Sequence, residues 1–430
     1  MSPLDESLFC VDVYQNEYLP EGAREVSAVL TVTCAVDLAQ ADDVAAAEVI
    51  IVDCSGSMAR RGKIAAAREA TMAAVDAIGD GVAFAVIAGT QTARMVFPAG
   101  GGLVVASGES RDLARHAVAG LRARGGTRIG EWLGLAHWLL AGHGAGLRHA
   151  ILLTDGQNGE SPRRLDEALS VCAGVFSCDC RGVGTRWKVA ELRKIAAALD
   201  GTVDIVADPA ALAADFTAMM GSSMRKQVAG AAMRVWTPGH ADIEFVKQVA
   251  PAIEDLTGRR VPAGPQTGHY PVGAWGAGES RDYHLRVRVR PGTAGQEMLA
   301  ARVSMVTGSP SGPRVHGQGL VRAIWTADET LSATISPHVA HYTGQAELAQ
   351  AIQDGLQARK QGDEQTAAAR LGRAVALAAQ SGNQDTVKLL ARVVDVVDAA
   401  TGTVRLRSKV TDADEMTLDT RSVRTIRTRK

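Results

Sequence analysis

Between residues 47 and 206, short and almost purely apolar runs alternate with amphipathic stretches, and this alternation constrains the fold more than any other feature. The runs are AEVIIVD (47–53), VAFAVIAG (82–89), HAILLTD (149–155), VFSCDCRGVG (175–184) and TVDIV (202–206). Helical spacing marks 63–78, 111–121, 129–141, 163–172 and 188–199 between and after them, and again 209–220. A strand that is apolar on both faces needs cover on both faces, which a parallel sheet wrapped by helices supplies. ARMVF (93–97) follows its neighbour too closely for a crossover and is expected to be an antiparallel edge strand.

Outside this block the pattern changes to strict alternation. EVSAVLTVTCAV (25–36) places Val26, Ala28, Leu30, Val32 and Cys34 on one side. YHLRVRVR (283–290) separates Leu285, Val287 and Val289 from Arg286, Arg288 and Arg290, which read as a solvated sheet face. MLAARVSMV (298–306) and GLVRAIW (319–325) are similar, and Pro and Gly cluster at 261–280. These features predict a β-sandwich over 225–330, completed by strands from 1–41, so that a doubly wound α/β domain (45–218) is inserted in a β-sandwich domain. Residues 345–400 have helical spacing broken at 361–363 and 381–383, predicting a short bundle of antiparallel helices. Residues 411–430 carry few large apolar side chains and end strongly basic, predicting a disordered tail.

Lys and Arg total 46 against 47 Asp and Glu, a net charge of −1, which gives no global electrostatic case for nucleic acid or a membrane surface. No run is apolar enough to span a bilayer, and the N-terminal residues lack a basic n-region, so a cytoplasmic location is expected. The six cysteines show no framework spacing and read as free thiols. Cys178 and Cys180 share one strand face, but no second pair completes a zinc site. Arg61-Gly62-Lys63 lacks the upstream Gly and the following Ser/Thr of a phosphate loop. His338 and His341 have no surrounding carboxylates, and Trp132 and Trp138 are expected to pack under the sheet.

The sharpest chemical signal is Asp53-Cys54-Ser55-Gly56-Ser57, at the carboxyl end of the first apolar strand. Open α/β sheets form ligand crevices at such strand ends. The turn gathers one carboxylate and two hydroxyls, hard oxygens of the kind a small divalent cation takes. Asp and Ser before a helix also serve as caps. Two further residues favour the metal: Thr127, in a Gly-rich loop before a helix, and Asp155, which ends a strand expected beside the first.

Asp53, Ser55, Ser57, Thr127 and Asp155 together resemble the metal-ion-dependent adhesion site of the von Willebrand factor A family, in the contexts IIVDCSGSM and LLTDGQN. The resemblance covers about 175 residues, 45–218. It implies Mg²⁺ or Mn²⁺ held by Ser55, Ser57 and Thr127, with Asp53 and Asp155 bound directly or through water. One position is left for an Asp or Glu of a partner protein. The arrangement also looks like bacterial cytoplasmic members of the family, which are associated with Ser/Thr kinases, PP2C-type phosphatases or forkhead-associated proteins. It therefore implies a signalling or stress adaptor and not an enzyme. Two alternatives stay open: a subunit partnering a separate AAA+ ATPase, and a metal-dependent hydrolase, for which no general base or nucleophile stands beside the motif. In the tail, Thr420 is expected to be a phosphorylation site, flanked by Asp419 and Arg421.

Overall fold

The computed structural model describes residues 7–35, 45–60, 62–144, 146–308 and 312–427. The chain divides into two compact units: Ala39–Ala229 with Gly273–Gly276, and the remainder, Met1–Leu38, Gly230–Val272 and Ala277–Lys430. The chain starts with β1 (Phe9–Gln15), β2 (Leu19–Pro20) and β3 (Glu25–Cys34).

In the α/β unit the strands are β4 (Ala46–Asp53), β5 (Ala83–Gly89), β6 (Ala93–Phe97), β7 (Val104–Val105), β8 (Leu147–Thr154), β9 (Ser177–Val183) and β10 (Val203–Val206). They form one sheet in the order β10-β9-β8-β4-β5-β6, with β7 also beside β5. Strands β10, β9, β8, β4 and β5 run parallel, while β6 and β7 are antiparallel to β5. The helices are α1 (Lys63–Asp76), α2 (Gly108–Ala119), α3 (Ile129–Ala141), α4 (Pro162–Cys172), α5 (Val189–Ala198) and α6 (Leu212–Ser223). Side chains alternate across a strand. Ile50, Val52, Phe84, Val86, Ile151 and Leu153 therefore meet the small residues Ala67, Ala70 and Ala74 of α1, with Val118 and Phe216 completing that layer. This is a mixed α/β Rossmann-like fold. Because β4 lies between β5 and β8, the loops leaving β4 and β8 open a crevice at their carboxyl ends. Trp132 is fully buried, whereas Trp138 is 62% exposed. The expectation that Trp138 packs under the sheet is therefore corrected: six positions along a helix rotate it away from the buried stripe.

The second unit continues with β11 (Lys226–Trp236), β12 (Asp242–Ala250), β13 (Glu254–Asp255), β14 (Val261–Gly264), β15 (Thr267–Gly276), β16 (Ser280–Arg288), β17 (Glu297–Thr307) and β18 (Arg314–Thr326). Two sheets result, β1-β3-β16-β12-β13 and β14-β15-β11-β17-β18-β2. Glycines let β18 approach β1. A Cβ on Gly317 would fall 2.3 Å from the Phe9 carbonyl oxygen, and one on Gly319 would fall 2.5 Å from Val13. Arg286 lies over the Phe245 ring and Arg288 pairs with Glu244, on a polar face.

After β18 come α7 (Glu329–Ser332), α8 (Pro337–Lys360), α9 (Glu364–Gln380) and α10 (Gln384–Val393). The next residues depart from the helical expectation for 345–400. Val394–Asp398 and Thr403–Leu406 form a hairpin, β19 and β20. The β-branched sequence VDVVD favours strand over helix. Gly402, at φ +71°, brings the hairpin against Gly372, where a Cβ would meet the Gly402 carbonyl oxygen at 2.1 Å.

The disordered tail expected at 411–430 is also corrected. Asp412–Arg421 is a helix, α11, capped by the Thr411 side chain, which accepts from the Asp414 amide. Asp412, Asp414 and Glu415 occupy its first turn, where negative charge is favoured. Leu418 is fully buried in the cluster that contains Leu356, Leu371 and Leu390. Thr420, expected as an accessible phosphorylation site, lies on this helix and is only 2% exposed. Residues 428–430 lie outside the described residues.

Candidate metal centre

Strand β4 ends at Asp53 and the chain turns through Ser55 into the single 3-10 turn Gly56–Ala59. Asp53 is fully buried. One of its oxygens accepts from the Ser55 amide at 2.7 Å and the other from the Thr154 hydroxyl at 2.7 Å. Burial raises its carboxyl above the usual range; the bonds from Thr154 and Ser55 oppose this, and the nearby Asp155 charge adds to it.

Asp155 follows β8 directly, and β8 pairs with β4. Its carboxylate is also fully buried. The Ser57 hydroxyl donates to Asp155 Oδ1, and the Ser55 and Ser57 hydroxyls lie 2.9 Å apart. The Thr127 loop is fastened on both sides: the Gly56 amide donates to the Gly125 carbonyl at 2.9 Å, and the Gly159 amide to the Thr127 carbonyl at 2.8 Å. A Cβ on Gly156 would lie 3.3 Å from the Ser57 hydroxyl and 3.5 Å from that of Thr127. The five residues singled out by sequence therefore come from three loops to one small volume. Glycine at 156 keeps that volume open.

Sequence reasoning did not identify two further contributors. Thr154 orients Asp53. Lys63, considered only as part of a phosphate loop, places its ammonium 2.5 Å from Asp155 Oδ2, and both side chains are buried. Arg186 approaches the same oxygen at 3.9 Å. Its position just after the serine turn, on the first residue of α1, was the available signal for Lys63.

The donor set fits a divalent metal. Two carboxylates and three hydroxyls are hard oxygen donors in the number and charge that Mg²⁺ or Mn²⁺ takes. The Lys63 ammonium already beside Asp155 shows that positive charge is favoured there. Among the described residues no group of three or more His, Cys, Asp or Glu side chains could hold a metal, so a soft or imidazole-rich site is not formed. Cys178 and Cys180 are buried free thiols. Lys63→Met removes the competing cation, and metal affinity is expected to rise several-fold, as read by calorimetry. Unchanged affinity would show that the ammonium does not compete for Asp155.

Residues 47–205 match the von Willebrand factor type A domain and residues 376–422 match the von Willebrand factor type A C-terminal domain. The structure of a von Willebrand factor type A protein from Catenulispora acidiphila is similar at 49% identity and a TM-score of 0.93, over 100% of this chain and 99% of that one. Two others share the fold alone. The ArnB paralog VWA2 from Sulfolobus acidocaldarius is 13% identical with a TM-score of 0.60, over 97% of this chain and 98% of that one. The human COPII-coat protein Sec24c is 9% identical with a TM-score of 0.54, over 93% of this chain and 60% of that one. No curated protein matches. No described helix is long and apolar enough to cross a membrane. Domains of this kind are generally protein-interaction modules and commonly hold a metal at such a cluster of loops. On its match over the whole length to the Catenulispora acidiphila protein, the chain belongs to the von Willebrand factor type A family.

Proposed function

We propose that Asp53, Ser55, Ser57, Thr127 and Asp155 hold one Mg²⁺ or Mn²⁺ ion, and that the protein uses it to capture an Asp or Glu side chain of a partner protein. The observation that carries this reading is the gathering of these oxygens from three loops at the carboxyl end of the sheet, with a buried ammonium on Asp155. The metal would supply a charge centre for an incoming carboxylate. The chain's own residues fix the donors: Thr154 and the Ser55 amide hold Asp53, and Ser57 holds Asp155. Both carboxylates and both serine hydroxyls are already engaged within the cluster, which favours binding over catalysis. An adaptor role in cytoplasmic Ser/Thr phosphorylation or stress signalling, with kinase, phosphatase or forkhead-associated partners, is the setting we propose for it.

The test is affinity capture from the protein's own source with the tagged full chain, in Mg²⁺ and in EDTA, beside Asp155→Ala, read by mass spectrometry. A partner recovered in Mg²⁺ and lost in EDTA and in the variant supports the reading. The same partners in all three lanes would overturn it.

A further inference from the structure

Beside the metal loops lies a small cavity of 80 Å³ lined by Cys54, Thr90, Thr92, Arg94, Arg122 and Arg124. It has room for a few waters or one compact oxyanion. Its walls are tied directly to the Asp53 turn. The Arg124 amide donates to the Cys54 carbonyl at 2.7 Å, and the Cys54 amide to the Gly89 carbonyl at 2.7 Å. Arg124 begins the loop that reaches Thr127, so cavity and metal loops share one backbone segment.

The charges around this cavity are uncompensated. Arg94, Arg122 and Arg124 are exposed, and none has an ion-pair partner among the described residues. The side chain of Arg94 makes only a long contact, 3.4 Å, to the carbonyl of Met95 next along the chain. A fourth arginine, Arg68 of α1, reaches from behind. It donates to the carbonyl of Leu121, next to Arg122, while its Nε is buried without a partner. Both Arg94 and Arg68 are close enough to act on the Cys54 thiol. Burial pushes that thiol up to about 12 and Asp53 adds to the effect, while these two arginines oppose it. Both Asp53 oxygens are already engaged, by the Ser55 amide and the Thr154 hydroxyl.

Other arginines of this unit do pair with acids, among them Arg111 with Asp80, Arg115 with Asp76, and Arg181 with Asp215. Guanidinium groups match oxyanions through two parallel donors, and several of them around one small recess suit a dianion better than a single carboxylate.

We infer that this arginine-walled recess is a second subsite that binds a phosphate group carried by the same partner segment whose carboxylate the metal takes. The partner is then a phosphorylated acidic peptide segment, read at two points. This rests on the reading of the metal centre given above for the second point alone; the recess itself is built without a metal.

The probes are N-acetyl-phosphoserine amide and N-acetyl-aspartate amide, titrated into the full-length protein by calorimetry at low ionic strength. The phosphoserine derivative is expected to bind at about 1 mM or tighter. The double variant Arg94→Gln/Arg124→Gln is expected to weaken it at least about tenfold, since two charge-assisted donors are lost. Those side chains are exposed, so the variant should melt within a few degrees of wild type and still titrate Mg²⁺. Asp155→Ala is expected to lose Mg²⁺ and keep the phosphoserine derivative, so failure of the metal reading and failure of this one are separately visible. No binding by wild type, or binding unchanged in the double variant, would overturn the subsite. Equally tight binding of the aspartate derivative would overturn the choice of phosphate.

Discussion

Glu48→Ala is expected to lower the stability of the α/β unit by about 3–5 kcal/mol, the cost of removing one partner from a buried ion pair. Glu48 is fully buried on β4, opposite His149 of β8 in the parallel register. His149 Nδ1 lies 2.7 Å from Glu48 and Nε2 lies 3.2 Å from Asp179 on β9, so one imidazolium links three strands. Ser223 donates to the other Glu48 oxygen at 3.1 Å, and Asp179 also accepts from the Thr202 amide and hydroxyl. Burial opposes the charge on His149, but Glu48 and Asp179 outweigh it and raise its value to about 10. Asp179 is held well below its usual range: burial opposes this, while the bond and charge from His149, then Arg181 and Thr202, more than offset it.

The sign follows from which form each group prefers in the folded chain. The raised His149 contributes fully below the unfolded value of about 6.5, and its contribution fades as pH climbs through about 10. The lowered Asp179 contributes above about 3.9 and fades as pH falls. Urea midpoints of the wild type should therefore decline between about pH 6.5 and 10, and that slope should be absent in His149→Gln. A loss under about 1 kcal/mol in Glu48→Ala, with an unchanged alkaline slope in His149→Gln, would show that the triad is not an ion pair.

The second large effect concerns the C-terminal segment. Asp282 of β16 is 3% exposed and receives the Thr31 hydroxyl at 2.7 Å, the Tyr342 hydroxyl, and Arg427 through Nε at 3.0 Å and Nη2 at 2.7 Å. Burial works against its charge, yet the bonds from Arg427, Tyr342 and Thr31 hold its carboxyl below the usual range. The segment is fastened along its length as well. The Ile253 amide donates to Val423 at 2.7 Å, the Thr425 amide donates to Pro251 at 3.0 Å, and His341 bonds the Ile426 carbonyl at 2.8 Å.

Asp282→Ala leaves two buried hydroxyls without their acceptor, at about 1–3 kcal/mol each, for a total of about 2–6 kcal/mol. Arg427 is 43% exposed, and its ion pair adds little to that sum. Trypsin is expected to cleave after Arg424 many-fold faster in the variant, because the strap it belongs to is loosened. Equal cleavage rates and an unchanged melting midpoint would contradict this account of the segment.

What could be read from sequence followed from how local the cause was. The apolar runs of the α/β unit declare themselves because each is buried on both faces, and the five oxygens stand in motif order because strand ends deliver them. The strand Phe9–Gln15 falls in the stretch 1–41 expected to add strands, but its own bounds could not be read, since most of its side chains are half-buried and its pattern is weak. The helix Asp412–Arg421 was missed for a related reason. Counted alone it has too little apolar surface to fold, but Leu418 enters a cluster whose other members come from α8, α9, α10 and β19. Thr420 looked accessible because its neighbours are charged, yet the helix turns it inward. The arginine recess could not be read at all, because Arg68, Arg94, Arg122 and Arg124 meet only through tertiary contacts.

The most direct test of the metal-centred account is a calorimetric titration of Mg²⁺ and Mn²⁺ into the full-length wild type, Asp53→Ala and Asp155→Ala, with a thermal melt of each. The account predicts saturable binding at a single site in the wild type and its loss in both variants, with the fold retained. Metal affinity unchanged in both variants, or no saturable binding by the wild type, would contradict it.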